Sequence, residues 1–360
     1  MTQMQVSIEP IAVPAGLDAP GAADFVAVAE MFNAQQQEFW GNNDFYGPPQ
    51  AQLAGRGSTP TRRRELLAAR AGSDIVGVAQ INLPLTDNLH SGTVDIVVAP
   101  SARRRGVGTR LYAAAEQLAL SDNRRMLMAE TDHLLSGETA GPIAGTASLV
   151  PQDAAALFAS ALGFRLELVD RVSRLELGSP ADDEAVLEQA RTAAGAGYEL
   201  VFWSGACPED LIAAYARLRQ KMSTDAPMGG LDLAEEVWDG ARVREAEGLA
   251  RDMDAEVLVS AARHVATGEL AGHTVLEVFR NNPAVVYQDD TLVLEGHRGN
   301  RLGMLLKAAN LVCLREAVPE ALRVYTWNAE ENRHMLSINE QLGFRAIGYS
   351  GEWQKELSAE

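Results

Sequence analysis

The sequence predicts a mixed α/β (α+β) chain of two tandem domains, each a twisted mixed sheet flanked by helices. Three observations carry that expectation. Val94–Leu111 (VDIVVAPSARRRGVGTRL) and Asp289–Leu306 (DDTLVLEGHRGNRLGMLL) repeat one pattern: an apolar strand, an Arg/Gly-rich turn and the opening of a helix. Gly108 matches Gly303 at an offset of 195 residues, and the same offset pairs Asp95 with Asp290 and Gly77 with Gly272. A further echo, LGFR, falls at Leu162–Arg165 and Leu342–Arg345 with an offset of 180, so the first copy holds an insertion, assigned to the loop-like His133–Val150. Anchors at one offset, with another displaced by a single insertion, indicate a duplicated domain and not a short solenoid repeat. The expected boundaries are 1–177, a linker at 178–195, and 196–360.

The elements follow in order. In the first half MQVSIEPIAV reads as a strand and Ala22–Phe39 as a helix, followed by the turn-rich Trp40–Pro49. A helix is expected at Pro60–Ala69. LLAARAGSDIVGVAQINL reads as two strands joined at Gly72-Ser73-Asp74, because apolar and β-branched residues flank a turn triplet. The motif strand Thr93–Val98, its helix Val107–Ala119, a strand Arg125–Glu130 and a helix Gln152–Ala161 come next. Two terminal strands close the half, Phe164–Leu168 and Arg171–Leu177. In the second half the series is a strand YELVFWSG, helices Pro208–Met222 and Glu235–Ala250, and strands Glu256–His264 and Leu270–Phe279. The motif strand and its helix follow, then a strand Arg323–Trp327, a helix Asn332–Gln341 and a closing strand. Alternation of this kind is what a mixed sheet covered by helices requires.

A length of 360 residues suits two domains large enough for their own cores. A hydrophobic content of 47% with 22% charged residues is that of a folded soluble protein. No apolar run approaches a membrane span of about 18 residues, and the N-terminus lacks a basic region followed by an apolar one, so a cytoplasmic location is expected. Cys207 and Cys313 form no metal-ligand spacing, and no metal is expected. A net charge of −18 argues against a nucleic-acid partner, whose footprint is normally basic, and suits cationic small molecules.

The chemistry sits in the turn. In Arg103-Arg104-Arg105-Gly106-Val107-Gly108-Thr109 a strand ends and a helix begins. The first turn of a helix leaves backbone N–H groups unpaired, glycines allow close approach, and the arginines add positive charge. Such a turn suits a pyrophosphate. It is not a Walker loop, since GK[ST] is missing, nor a dinucleotide fingerprint, since Leu111 stands where the third glycine belongs.

This turn resembles the signature of the GNAT N-acetyltransferase superfamily, Q/R-x-x-G-x-G/A between the fourth strand and the third helix. Arg103-Arg104-Arg105-Gly106-Val107-Gly108 fits it at every fixed position, and the LGF helix ends fit as well. The resemblance covers nearly the whole chain as two copies. It implies acetyl-CoA as co-substrate, its pyrophosphate on the turn and its pantetheine arm beside the motif strand at Val97 and Val98. In the second copy, Arg298-Gly299-Asn300-Arg301-Leu302-Gly303, Arg301 stands where the first fixed glycine belongs. Asn332 matches the family's helix-opening asparagine, which contacts the pantetheine region or caps the helix.

The resemblance also implies direct transfer: a base takes a proton from an amine, and an acid protonates the departing thiolate. The family's usual acid is a tyrosine three residues before the Leu of LGF, where this chain has Ala159 and Asn339. Candidates must come from the motif strands instead. Asp95 and Asp290 occupy matching places and suit orienting an ammonium group or accepting its proton; capping or a solvent-facing role is the alternative. Tyr287 is an alternative acid, or a packing residue. Glu130, Asp132 and His133, at the next strand end, form an acidic cluster suited to a cationic acceptor or to a solvated edge. The aromatic Trp40, Phe45 and Tyr46 are consistent with an acceptor pocket wall.

The expected function is therefore an acetyl-CoA-dependent N-acetyltransferase acting on a primary amine of a small metabolite, as a monomer or homodimer. Similarity to mycothiol synthase or to aminoglycoside acetyltransferases gives alternatives within the enzyme class. A non-catalytic acyl-CoA-binding sensor is the alternative outside it.

Overall fold

The computed structural model of the chain describes residues 4–135 and 150–358. The insertion assigned to His133–Val150 lies almost entirely outside them. Two compact units emerge, and they cut the chain differently from the sequence repeat. Among the described residues the first unit takes 4–132, 150–167 and 351–358, and the second takes 133–135 and 168–350. Each unit is thus completed by a strand segment from the other half of the sequence.

In the first unit β1 (Ser7–Ile11), β2 (Arg62–Ala71), β3 (Asp74–Pro84), β4 (Ser91–Val98) and β5 (Met126–Leu134) are neighbours in that order, with the end of β12 (Arg345–Glu356) next to β5. The β2–β3 hairpin turns at Gly72, whose φ of 65° only glycine adopts without strain. Helices α1 (Ala22–Trp40) and α2 (Pro49–Arg56) are joined by the turn-rich segment. From α1, Phe25, Val28, Ala29 and Phe32 bury against Leu66, Ala68, Val78 and Val97, each large side chain worth about 1.5–3 kcal/mol. α3 (Val107–Ser121) follows the motif turn, and α4 (Ala154–Ala161) is capped by Asp153, which accepts from Ala155 and Ala156.

Two expectations fail here. Pro60–Ala69 is not helical: it holds the start of β2, whose residues Leu66–Ala69 are buried and paired to β3 along their whole length. The helix comes earlier, at α2, with a proline at its start where the missing N–H costs nothing. The two terminal strands expected at Phe164–Leu177 are one, β6 (Arg165–Glu176): Val169 is fully buried and Asp170 is already paired with Ala329, so no turn interrupts the strand.

The second unit orders its strands β6-β11-β10-β9-β8-β7, with β7 (Tyr198–Ser204), β8 (Ala255–His264), β9 (Leu270–Phe279), β10 (Val285–Val293) and β11 (Arg323–Ala329). β6 pairs antiparallel with β11 from Arg323↔Glu176 to Ala329↔Asp170. The segment 178–195, expected as a linker, folds as α5 (Pro180–Ala194). Ser179 caps it, Pro180 opens it, Asp182 and Asp183 favour its positive end, and Gly195 ends it. Leu187 and Ala190 of α5 bury against Leu302, Leu305 and Leu306 of α8 (Leu302–Ala317). The remaining helices are α6 (Ile212–Asp225), α7 (Gly240–Asp252) and α9 (Arg333–Leu342). α7 begins later than expected because Asp239, accepting from the Arg242 N–H, is its cap.

No helix among the described residues is long and apolar enough to cross a membrane.

Candidate active site

In the first unit β4 and β5 are parallel, but their ladder covers only Ser91–Thr93 and Met126–Met128. Beyond Thr93 the strands part, so Asp95–Val98 on one side and Ala129–Asp132 on the other line a wedge-shaped opening. At the end of β4 lies the turn. Arg104 and Gly106 both take left-handed conformations, φ 60° and 83°, and no side chain caps the N-terminus of α3 that follows. Its first backbone N–H groups are therefore left for an anion.

The sequence-predicted turn residues divide by role. Arg103 is not aimed at a ligand: its Nη1 and Nη2 donate to the two oxygens of Glu38 at 2.7 and 2.6 Å, and its Nε donates to the Val98 carbonyl at 2.9 Å. It ties the turn to the end of α1. Arg104 is exposed, as is Thr109, and the Arg105 carbonyl accepts from Met4 N–H at 3.0 Å. Val97 and Val107 are core side chains, so only their backbone faces the opening. Gly108 is tightly packed, since a Cβ there would stand 3.0 Å from Phe158 of α4.

The acidic residues converge on the opening. Asp95 keeps access to solvent but is walled round by protein, and burial raises its pKa; nearby Arg56 opposes that rise, and Glu130 adds to it. Burial likewise pushes Asp132 up to about 7, with Glu130 and Asp95 contributing repulsion. Arg56 of α2 lies 3.6 Å over the Phe32 ring, donates to Gln52 at 2.8 Å and bonds Gln80, the register partner of Asp95. Burial lowers its pKa to about 10. Asp132 is the functional candidate that the motif strand alone does not reveal, because its role depends on how far β5 runs past the splay.

The second unit repeats the frame with other contents. The β10–β11 ladder covers Val285–Gln288 and Arg323–Thr326, and β10 carries a bulge at Asp289-Asp290 that β4 lacks. Asp290 is paired: Arg219 of α6 stands 2.8 Å from its Oδ2 and 3.2 Å from Asp289 Oδ2. Burial opposes ionisation of Asp290, but Arg219 and His273 together outweigh it and hold the carboxyl low, whereas Asp289 is raised by burial and by Asp290. Glu277 of β9 is pushed up to about 7 by burial and Asp289. Tyr287 lies in the paired part of β10, opposite Tyr325, and stacks with Tyr325 and Trp327 at 6.4 and 6.3 Å.

The second turn keeps the backbone and changes the side chains. Gly299 and Arg301 take φ of 84° and 58°, where the first turn has Arg104 and Gly106. Arg298 donates to Asp225 at 2.7 Å and to the Val293 carbonyl at 3.1 Å, as Arg103 does to Glu38 and Val98. Asn300 donates to the Tyr198 hydroxyl and to its own turn carbonyls, and Tyr198 in turn meets His297 at 3.0 Å. Leu302 is core, and a Cβ on Gly303 would lie 2.9 Å from Ile338. Asn332 caps α9, accepting from Met335 N–H at 3.2 Å. Asn339, where the family tyrosine belongs, is buried and donates to Asn328 at 2.6 Å.

These features are those of known acyltransferases. Residues 27–136 match the family model described as acetyltransferase (GNAT) family. A tandem GNAT protein from the clavulanic acid biosynthesis pathway superposes with a TM-score of 0.77 at 26% identity, covering 99% of this chain and 100% of that one. The chain has the fold of a tandem GNAT protein. Residues 27–136 match the family model, and that match and the fold are those of an acyltransferase. Two further structures share the fold at 13% identity and 99% coverage of this chain. One is a glucosamine N-acetyltransferase region of a fungal multi-domain β-N-acetylglucosaminidase (TM-score 0.64, 38% of that chain); the other is a GCN5-related N-acetyltransferase from Sphaerobacter thermophilus (TM-score 0.58, 97% of that chain). No curated protein sequence matches the chain. Among the described residues no group of three or more His, Cys, Asp or Glu could hold a metal ion.

Proposed function

We propose that the first unit is an acetyl-CoA-dependent N-acetyltransferase whose acceptor is a primary amine of a small metabolite. The observation that carries this is the position of Asp95, Glu130 and Asp132 around the splayed ends of β4 and β5, next to the uncapped N-terminus of α3. The α3 N–H groups, with Arg104 and Arg105 beside them, suit the pyrophosphate. Acetyl-CoA supplies a thioester-activated acetyl group, and the open β4 edge gives its arm a backbone to lie along.

The acceptor side belongs to the carboxylates. Asp95 and Glu130 attract and orient the ammonium form of the amine. Asp132, titrating near 7, accepts a proton at neutral pH and can give it up again. With Ala159 at the family's acid position, water protonates the leaving thiolate. In the second unit Asp290 is committed to Arg219, which suits a structural or ligand-sensing role better than proton transfer.

Calorimetric titration with acetyl-CoA, followed by an amine screen read by mass spectrometry, tests the proposal. One acetyl-CoA site, and acetylation lost in Asp132→Asn with binding intact, is the expected result. Absence of acetyl-CoA binding refutes it. Binding without turnover on any amine would favour the acyl-CoA sensor.

A further inference from the structure

The last strand of the chain ends in a polar clamp that neither turn motif contains. Lys355, near the end of β12, directs its Nζ to the Tyr112 hydroxyl and to Glu116 Oε1, both at 2.7 Å. Tyr112 itself donates to Glu116 at 2.7 Å. The ammonium also sits 4.7 Å over the Tyr112 ring, which meets Phe164 edge-on. Both Tyr112 and Glu116 belong to α3, one and two turns past its N-terminus. The stem of Lys355 lies against the end of α4, where a Cβ on Gly163 would be 3.6 Å from its Cε. All of these residues lie in the first unit.

The clamp therefore grips α3 and α4 together. Those two helices meet at Gly108 and Phe158, in the first turn of α3, where the phosphate-facing N–H groups are set. At the matching positions of the second unit the clamp is not reproduced. Leu175 lies against Gly343 in the way Lys355 lies against Gly163, Lys307 replaces Tyr112, and Leu311 replaces Glu116. Lys307 there is buried and faces Phe344 at 5.7 Å. Only the unit whose turn keeps the full glycine pattern has the clamp.

Resting on the acetyl-CoA assignment to the first unit, we infer that Lys355 is a positioning residue for acyl-donor binding. Acting through Tyr112 and Glu116, it holds the N-terminus of α3 in register with α4. Donor binding by the first unit then depends on docking of the chain's final strand.

The test compares the full-length parent with Lys355→Leu, Lys355→Arg and Tyr112→Phe, measuring acetyl-CoA affinity by calorimetry and steady-state constants for both substrates well below the melting transition. A charge-assisted pair of this kind corresponds to roughly a ten- to hundred-fold change. Lys355→Leu should raise the acetyl-CoA Kd and KM by that factor and leave kcat and the acceptor KM close to the parent's. Lys355→Arg should restore most of the affinity, and Tyr112→Phe should give a smaller loss in the same direction. A purely structural role would lower the melting temperature of Lys355→Leu without moving the acetyl-CoA KM, and that result overturns the inference. So does a loss spread equally over kcat and both KM values. If the parent does not bind acetyl-CoA, the acetyltransferase proposal fails first and the inference falls with it.

Discussion

Arg301 and Gly106 hold one backbone conformation at equivalent points of the two units, φ 58° and 83°, each at the N-cap of the helix that follows its motif turn. Two residues earlier the partners are reversed, Gly299 at 84° and Arg104 at 60°. Each turn thus carries one glycine and one arginine in the left-handed region, in opposite order. The shape of the turn is a backbone property, and either site tolerates a side chain at a cost.

That cost gives the first prediction. A side chain in the left-handed region is disfavoured by about 1 kcal/mol relative to glycine. Arg301→Gly should stabilise the second unit by about that amount and raise its thermal transition by a few degrees. Arg104→Gly should do the same for the first unit. Differential scanning calorimetry reads both. A fall in stability would show that the arginine side chains make compensating contacts.

Gly108 has a different reason to be glycine. Its φ is ordinary, but a Cβ would stand 3.0 Å from Phe158 Cζ, tighter than ring and helix can absorb without moving. Gly108→Leu should cost about 1–3 kcal/mol through overpacking and displace α3 from α4. Acetyl-CoA affinity should fall with it. Gly108→Ala combined with Phe158→Leu should recover much of the loss, because the smaller side chain yields the space. Failure of that pair to recover binding would mean Gly108 meets the ligand directly.

The repeat made the architecture legible from the sequence. Gly108 and Gly303 anchor it because both sit where a helix start crosses a neighbouring helix, and a Cβ at either would press on a side chain of that helix. The hairpin at Gly72 was legible for a different local reason, a turn that needs the left-handed φ of 65°. The start of β2 was not: Arg62–Glu65 is polar and mostly basic, and it becomes a strand only because β3 runs alongside it as far as Pro84. Nor was the sharing of strands between sequence halves, since nothing local in β6 or β12 says which unit completes it. At the site, Asp95 and Asp290 look alike in sequence. They differ because Arg219 reaches the second and Arg56 contacts Gln80, not Asp95, in the first.

The final strand should matter out of proportion to its length. Trp353 is 4% exposed and donates to Thr131 at 2.7 Å, and Leu357 N–H donates to the Arg125 carbonyl at 2.8 Å. Trp353→Ala should destabilise the first unit by about 3–5 kcal/mol. A chain ending at Ser350 should show the first unit unfolded or loosened while amides of β8 and β9 remain protected in hydrogen exchange. Uniform loss of protection in both units would show that they do not unfold separately.

Asp132 carries opposite demands on stability and catalysis, which makes it the most discriminating position. Its folded pKa, about 7, lies above the ordinary carboxylate value of 3.8, so the folded state binds the proton more tightly than the unfolded chain does. The ionised carboxylate therefore costs stability above about 7, and the cost disappears as the pH falls through that value toward 4. Asp132→Asn should raise the melting temperature at pH 8, and the gain should shrink on acidification, with little remaining near pH 4. A general base works only when ionised, so kcat/KM of the parent should climb through an apparent pKa near 7. In Asp132→Asn that limb should vanish along with most of the activity, while acetyl-CoA still binds. A variant that gains stability at high pH and loses turnover identifies a half-buried carboxylate kept for its chemistry. Gained stability with an unchanged pH–rate profile would leave Asp132 a cost without a catalytic role, and the base would then have to be Asp95 or Glu130.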